Sequence, residues 1–109
     1  MKQNPQESDW KQYREMIPNL SERYLEEKNQ ALANVLTSQD QTPTERFWAT
    51  FEQIGKEKKI LQDCLDNHSR SKMTMSMMLM LRHGMLKKED LDVFSNELRN
   101  TLTPDYVLD

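Results

Sequence analysis

The sequence predicts an all-α protein, a compact bundle of four or five helices with a methionine-rich helix at its centre. Apolar residues recur at helical spacing along most of the 109 residues, whereas β-branched residues are few and only two glycines are present for tight turns. Between Met73 and Leu81, only Thr74 and Ser76 are neither Met nor Leu. A helix in this stretch is apolar on nearly every side, which predicts that its neighbours cover it.

Length and composition predict a single domain over residues 1–109, with tails at 1–8 and 104–109. The one cysteine excludes an internal disulfide, and the N-terminus carries no apolar leader, so we expect a cytoplasmic location. The longest apolar run, Met77–Leu81, is far shorter than the roughly 20 residues of a membrane-spanning helix. We therefore expect no membrane association.

The first third of the chain predicts two helices separated at a proline. Asp9 is placed to cap a short helix, and the chain is expected to break or kink after Ile17, because Pro18 lacks a backbone donor and disfavours helix at the residue before it. Pro18 then suits the start of a second helix that reaches about Thr37. The apolar stripe of that second helix consists of Tyr24, Leu25, Ala31, Leu32, Val35 and Leu36.

A long helix is predicted over Thr42–Asn67. Pro43 occupies the first helical position, and Glu45 lies where a capping box requires a carboxylate. Residues along this helix follow alternating steps of four and three, as in a coiled coil. This seam, which is apolar apart from one lysine and one histidine, consists of Phe47, Phe51, Ile54, Lys58, Leu61, Leu65 and His68.

The seam has two interpretations. By default it is the inner face of the helical bundle, and alternatively it is the contact face of an intermolecular coiled coil. Lys58 and His68 weaken a continuous apolar zipper in either case. Gly55 lies beside the seam, where it permits a close helix crossing or a bend.

The methionine-rich helix is predicted over Ser71–His83. Gly84 is expected to close it in a left-handed conformation, so that the apolar pair after it folds back onto the helix. A final helix is predicted to begin near Lys87 and to stop at Pro104. Its apolar stripe consists of Leu91, Phe94, Leu98 and Leu102.

Charge is unevenly distributed around a net value of −3. Residues 42–88 carry nine Lys or Arg against five Asp or Glu, whereas residues 89–109 carry one against six. Lys59, Arg70 and Lys72 lie in the basic part and form a candidate site for an anion or nucleic acid. The acidic final helix would face phosphates in a helix-turn-helix arrangement, so binding to nucleic acid is disfavoured.

Cys64 and His68 are four residues apart on one predicted helix face. This spacing allows a thiolate and an imidazole to bind one metal, or to act as nucleophile and base. A zinc site requires four ligands, however, and a cysteine beside an apolar seam is typically buried and unreactive. We therefore expect no metal, no cofactor and no enzymatic activity.

The methionines allow a second metal hypothesis, because soft thioethers bind copper(I). Five methionines lie between residues 73 and 80, but only Met73, Met77 and Met80 share one helix face. Methionine also fills irregular cores and adaptable contact surfaces. Packing is the favoured interpretation.

The apolar surplus of so small a chain predicts an interaction or regulatory module without catalytic activity. We expect it to act through an apolar helix face, as a homodimer or with another protein. The alternative function is binding of an anion or nucleic acid by the basic segment around Arg70 and Lys72. The predicted contact residues are Trp48, Ile60, Met75 and Met78.

Overall fold

The computed structural model describes residues 5–66 and 68–103, and within them the chain forms helices and no β-strand. The all-α prediction is confirmed. Two short 3₁₀ segments precede the third and fourth α-helices, at Arg70–Lys72 and Lys88–Val93. The predicted helix end at Asn67 and the predicted stop at Pro104 lie outside the described residues. The α-helices are α1 (Glu7–Leu36), α2 (Pro43–Leu65), α3 (Met73–His83) and α4 (Asn96–Leu102).

Helices that follow one another in the chain also pack together in space. α1 forms a hairpin with α2, α3 packs against α2, and α4 packs against α3. The methionines of α3 divide between core and surface, because Met73, Met77 and Met80 are fully buried while Met75 and Met78 are exposed. The other large side chains that are fully buried are Tyr13, Tyr24, Cys64, Met85 and Leu86.

α1 is one helix of 30 residues, so the predicted break at Pro18 is wrong. Pro18 is exposed, as is Arg14, whose carbonyl loses its helical donor and can bond to water instead. Tyr13 and Leu20, on either side of the proline, are buried in the same core. A proline inside a helix costs about 3 kcal/mol. The burial of apolar side chains on one face of α1, both before and after Pro18, outweighs that cost.

Asp9 does not cap α1, which corrects a second prediction. Gln6 occupies the cap position, and the Asp9 carboxylate is buried away from it. That carboxylate accepts hydrogen bonds from the backbone N–H of Ser95 at 2.9 Å and from the Ser95 hydroxyl at 2.6 Å. Ser95 in turn caps α4 by accepting from the N–H of Leu98 at 3.2 Å. The first turn of α1 therefore holds the start of α4.

The predicted final helix is interrupted. Residues 88–93 form a 3₁₀ segment, and the α-helix begins only at Asn96. Asp90 accepts from the backbone N–H of Lys87 at 2.7 Å, and Ser95 is held by Asp9, so local bonds replace those of a continuous helix. The side chains of the predicted stripe are nevertheless all buried: Leu91, Phe94, Leu98 and Leu102.

The predicted signals at two helix ends are confirmed. The Thr42 hydroxyl accepts from the N–H of Glu45 at 3.1 Å, and the Glu45 carboxylate accepts from the N–H of Thr42 at 2.9 Å. Gly84 has a φ of +80°, and the N–H of Met85 bonds back to the carbonyl of Met80 at 2.9 Å. α3 itself begins at Met73, because the residues before it form a 3₁₀ segment.

The first part of the seam faces outward, because Phe47, Phe51 and Ile54 are exposed. Leu61 and Leu65 are half-buried and pack against the core, so the default interpretation of the seam as the inner face of the bundle is wrong only for the part before them. α2 buries Thr50, Glu57 and Cys64, which lie on a different side of the helix. Phe51 and the aromatic residues near it are exposed. No heavy atom of the described residues lies within 4 Å of a Cβ built at Gly55, so this glycine makes no close crossing within the chain.

Candidate interaction surface

One side of the α1–α2 hairpin carries an exposed apolar surface, which we call the hairpin face. α2 contributes the residues of the seam, and α1 contributes three leucines beside them. Residues spaced by three, four or seven positions lie on one side of a helix, so each set faces in one direction. The exposed members of the hairpin face are Leu36 of α1 and Phe47, Trp48, Phe51 and Ile54 of α2. Its half-buried members, which line the groove between the two helices, are Leu25, Leu32, Leu61 and Leu65.

A groove of about 460 Å³ runs between the two helices along the hairpin face. Leu25 and Leu32 line one wall, and Ile54, Leu61 and Leu65 line the other. The accessible surface of the groove is mainly apolar, although Lys28, Glu57 and Lys58 also line it. A groove of this kind accommodates the side chains of a third helix.

Three exposed aromatic rings lie together at the start of α2. The ring centroids of Phe47 and Trp48 are 4.9 Å apart at an interplanar angle of 89°, and those of Trp48 and Phe51 are 5.6 Å apart at 80°. Both pairs meet edge to face, which is a favourable geometry for aromatic rings. All three side chains are more than half exposed. Such clusters are typical of protein contact surfaces.

A buried polar cluster behind the hairpin face sets the rotation of α2. Glu57 accepts hydrogen bonds from the Tyr24 hydroxyl and from Nε2 of Gln53 at 3.0 Å, and Nζ of Lys28 lies 3.8 Å from its carboxylate. Burial, and next the bond to Glu57, raise the pKa of Tyr24, which therefore stays protonated as a donor. Turning the seam inward would leave a buried carboxylate without partners, at a high cost in free energy.

The structure separates the four predicted contact residues. Trp48 belongs to the exposed aromatic cluster, whereas Ile60 is half-buried and packs against the core. Met75 and Met78 are 61% and 41% exposed, and they lie on another helix, α3. The two phenylalanines of the cluster were missed as contact residues, although their seam spacing identified them as one face.

A second groove, of about 610 Å³, lies beside Met78. Leu81 and Leu102 contribute apolar surface to it, and Arg82 and Lys88 contribute positive charge. It lies between α3, the turn that follows it and the end of α4. This groove is separate from the hairpin face.

Two of the three cations predicted to bind an anion already face carboxylates. Nη2 of Arg70 lies 2.7 Å from the carboxylate of Glu7, and Nζ of Lys59 lies 3.8 Å from that of Asp63. The hydrogen bond between Arg70 and Glu7 raises the pKa of the guanidinium and lowers the pKa of the carboxyl group. Lys72 is exposed at the end of its 3₁₀ segment.

The ring of His68 is in contact with the backbone of Cys64. Nε2 of His68 lies 3.3 Å from the carbonyl oxygen of Cys64, and the ring centroids of His68 and Tyr13 are 5.8 Å apart at an interplanar angle of 83°. Burial raises the pKa of the Cys64 thiol, so the uncharged form is favoured. Among residues 5–66 and 68–103, no group of three or more His, Cys, Asp and Glu side chains is arranged to hold a metal.

Comparisons with other proteins leave the hairpin face to be interpreted from its own chemistry. No protein-family model, curated protein or solved structure matches this chain. No helix in the described part of the chain combines the length and apolar character needed to cross a bilayer.

Proposed function

We propose that this chain is a non-catalytic protein-interaction module that binds an apolar helical surface through the hairpin face. The exposed cluster of Phe47, Trp48 and Phe51 carries the proposal. Covering apolar surface gains about 25 cal/mol per Å². Soluble monomers seldom leave contiguous patches of this kind uncovered, and aromatic residues dominate the energetics of protein contacts.

The groove beside the cluster favours a helical partner. Helices that dock in grooves present anchors at spacings of three, four and seven residues. Leu25, Leu32 and Leu36 repeat at seven and four residues along α1, and the seam repeats in the same way along α2. Ridges of this spacing accept the side chains of another helix.

The buried polar groups support a role without catalysis. The carboxylate of Asp9 accepts hydrogen bonds from Ser95 at the start of α4, and that of Glu57 accepts one from the Tyr24 hydroxyl of α1, so both are occupied by bonds between helices. Anion binding by the basic segment is the weaker candidate, because an anion at Arg70 would have to displace the carboxylate of Glu7. Binding of a partner at the hairpin face does not require an existing ion pair to be broken.

Site-specific photocrosslinking of the full chain in the cells that produce it tests the proposal. A benzoylphenylalanine replaces Phe51, and the matched control replaces Lys56, which is also exposed but points to the far side of α2. We expect adducts of defined mass from position 51 and few from position 56. Equal yields at the two positions, or no adduct from position 51, would overturn the proposal.

A further inference from the structure

We infer that the hairpin face binds a second copy of this chain, with the two α2 helices antiparallel and crossing beside Gly55. The inference rests on the proposed function and names its partner. Four features of the hairpin support it: the repeat of the seam, the position of Lys58, the open space at Gly55 and the apolar area.

The repeat of the seam fits a helix that has the same repeat. From Phe47 to Leu65, the seam residues of α2 follow steps of four, three, four, three and four. Side chains at this spacing insert between four residues of a facing helix that repeats in the same way. A second α2 meets this requirement. A two-fold pairing uses the same patch on both copies and closes after two subunits.

Lys58 determines the direction of the pairing. It lies in the middle of the seam and is exposed. In a parallel pair, Lys58 would face Lys58 of the second copy. Two like charges in a partly desolvated interface repel each other. In an antiparallel pair with its midpoint at residue 56, Lys58 lies beside Ile54 of the second copy, where its aliphatic stem covers apolar surface and its ammonium reaches water. In the same register, Phe47 of one copy faces Leu65 of the other, and Phe51 faces Leu61.

Gly55 lies next to this midpoint. A Cβ built there meets no heavy atom of the described residues within 4 Å, so the fold of the single chain does not require a glycine. Glycine inside a helix is destabilising relative to alanine. A missing side chain allows another backbone to approach closely, which is what two crossing helices need at their point of contact.

The exposed apolar area is sufficient for a dimer. Phe47, Trp48 and Phe51 are 57%, 57% and 63% exposed, and Leu36 and Ile54 are each 49% exposed. At about 200 Å² for an aromatic and about 150 Å² for an aliphatic side chain, they present about 500 Å² per copy. Two copies together therefore offer about 1,000 Å² from these side chains alone. The groove leucines and the polar rim bring the total into the range of about 1,200–2,000 Å² of stable interfaces.

Cysteine cross-linking of the purified full chain tests this arrangement. Gly55→Cys places two thiols at the proposed crossing, and Lys56→Cys, on the far side of α2, is the matched control. Thr44→Cys reports on a parallel pair, because the antiparallel register separates the two residues by about 36 Å. Native Cys64 is buried and does not compete. Under mild oxidation we expect Gly55→Cys to form disulfide-linked dimers at least about tenfold faster than either other variant.

Sedimentation equilibrium of the unmodified chain provides the second measurement. We expect the mass of a dimer at micromolar concentration, and a monomer for Phe51→Ser. A monomeric wild-type chain, or preferential linkage of Thr44→Cys, would overturn the inference. A photoadduct at position 51 with a different protein would also overturn it while supporting the proposed function, whereas the absence of any adduct there overturns the proposed function itself.

Discussion

Arg23 and Asp90 form a two-point ion pair that joins α1 to the 3₁₀ segment at 88–93. Nη1 of Arg23 lies 3.1 Å from Oδ1 of Asp90, and Nη2 lies 2.6 Å from Oδ2. The same guanidinium donates to the carbonyl of Met85 at 3.1 Å. The bond from Arg23 lowers the pKa of Asp90, although burial acts in the opposite direction. This pair holds the connection between α3 and α4 against α1.

Arg23→Gln is expected to lower the free energy of unfolding by about 1–2 kcal/mol at neutral pH, because a partly exposed two-point ion pair is lost. The folded pKa of Asp90 lies below its ordinary value of 3.8. The ion pair therefore contributes its full stabilisation at pH values above about 3.8. This stabilisation is lost as the pH falls through the pKa of Asp90 in the folded chain. Denaturant unfolding at neutral pH and near pH 2.5 should show the difference between the two proteins narrowing in acid. An equal difference at both pH values would contradict this account.

Pro18→Ala is expected to raise the free energy of unfolding by about 1–3 kcal/mol. The substitution restores a backbone donor to the carbonyl of Arg14, and the proline ring is exposed, so little buried surface is lost with it. Denaturant unfolding measures the expected increase in the free energy of unfolding. Asn19→Ala, at the next exposed position of the same helix, is the control and should change stability by only a few tenths of a kcal/mol. A proline variant no more stable than the control would be evidence against a continuous helix.

Gly55→Ala should act in opposite directions on folding and on association. The alanine stabilises the helix by up to about 1 kcal/mol, and the structure offers it open space. The same methyl group obstructs the proposed helix crossing. Thermal unfolding at low protein concentration should therefore show a higher melting temperature for Gly55→Ala than for the unmodified chain. Sedimentation equilibrium should show a higher dissociation constant for the dimer. Glu52→Ala, exposed on another side of α2, should leave association unchanged. Stronger association of Gly55→Ala would argue against the crossing.

Lys58→Leu is expected to strengthen self-association by at least about tenfold, because the variant removes the one charge from the middle of the seam. Lys56→Leu introduces the same side chain on the far side of α2 and serves as the control. Sedimentation equilibrium of both variants gives the comparison. If the control gained as much as Lys58→Leu, nonspecific hydrophobic association would explain both results.

The Cys64 thiol is expected to resist modification in the folded chain. It is fully buried, and burial raises its pKa, so both access and the thiolate fraction are low. Reaction with a chromogenic disulfide reagent should be at least about a hundredfold slower under native conditions than in guanidinium chloride. Rapid native labelling would show that Cys64 is not enclosed in the core of the folded chain.

Local signals in the sequence predicted the features that depend on near neighbours. The capping box of Thr42 and Glu45 and the left-handed Gly84 each form bonds within a few residues, so their geometry follows from residue type and spacing. The predicted break at Pro18 was wrong because the local cost of the proline is smaller than the gain from burying one stripe on both sides of it. The missed bond between Asp9 and Ser95 spans most of the chain and had no local signal.

The helical class and the 3.5-residue repeat of the seam were determined by the sequence itself, because both depend only on residue type and periodicity. Tertiary structure decided which face of α2 is buried. Periodicity defines a stripe but does not say what covers it, and the buried carboxylate of Glu57 needs Tyr24 and Gln53 as partners. Satisfying that carboxylate turns the line through Thr50 and Cys64 inward and leaves the aromatic seam in solvent.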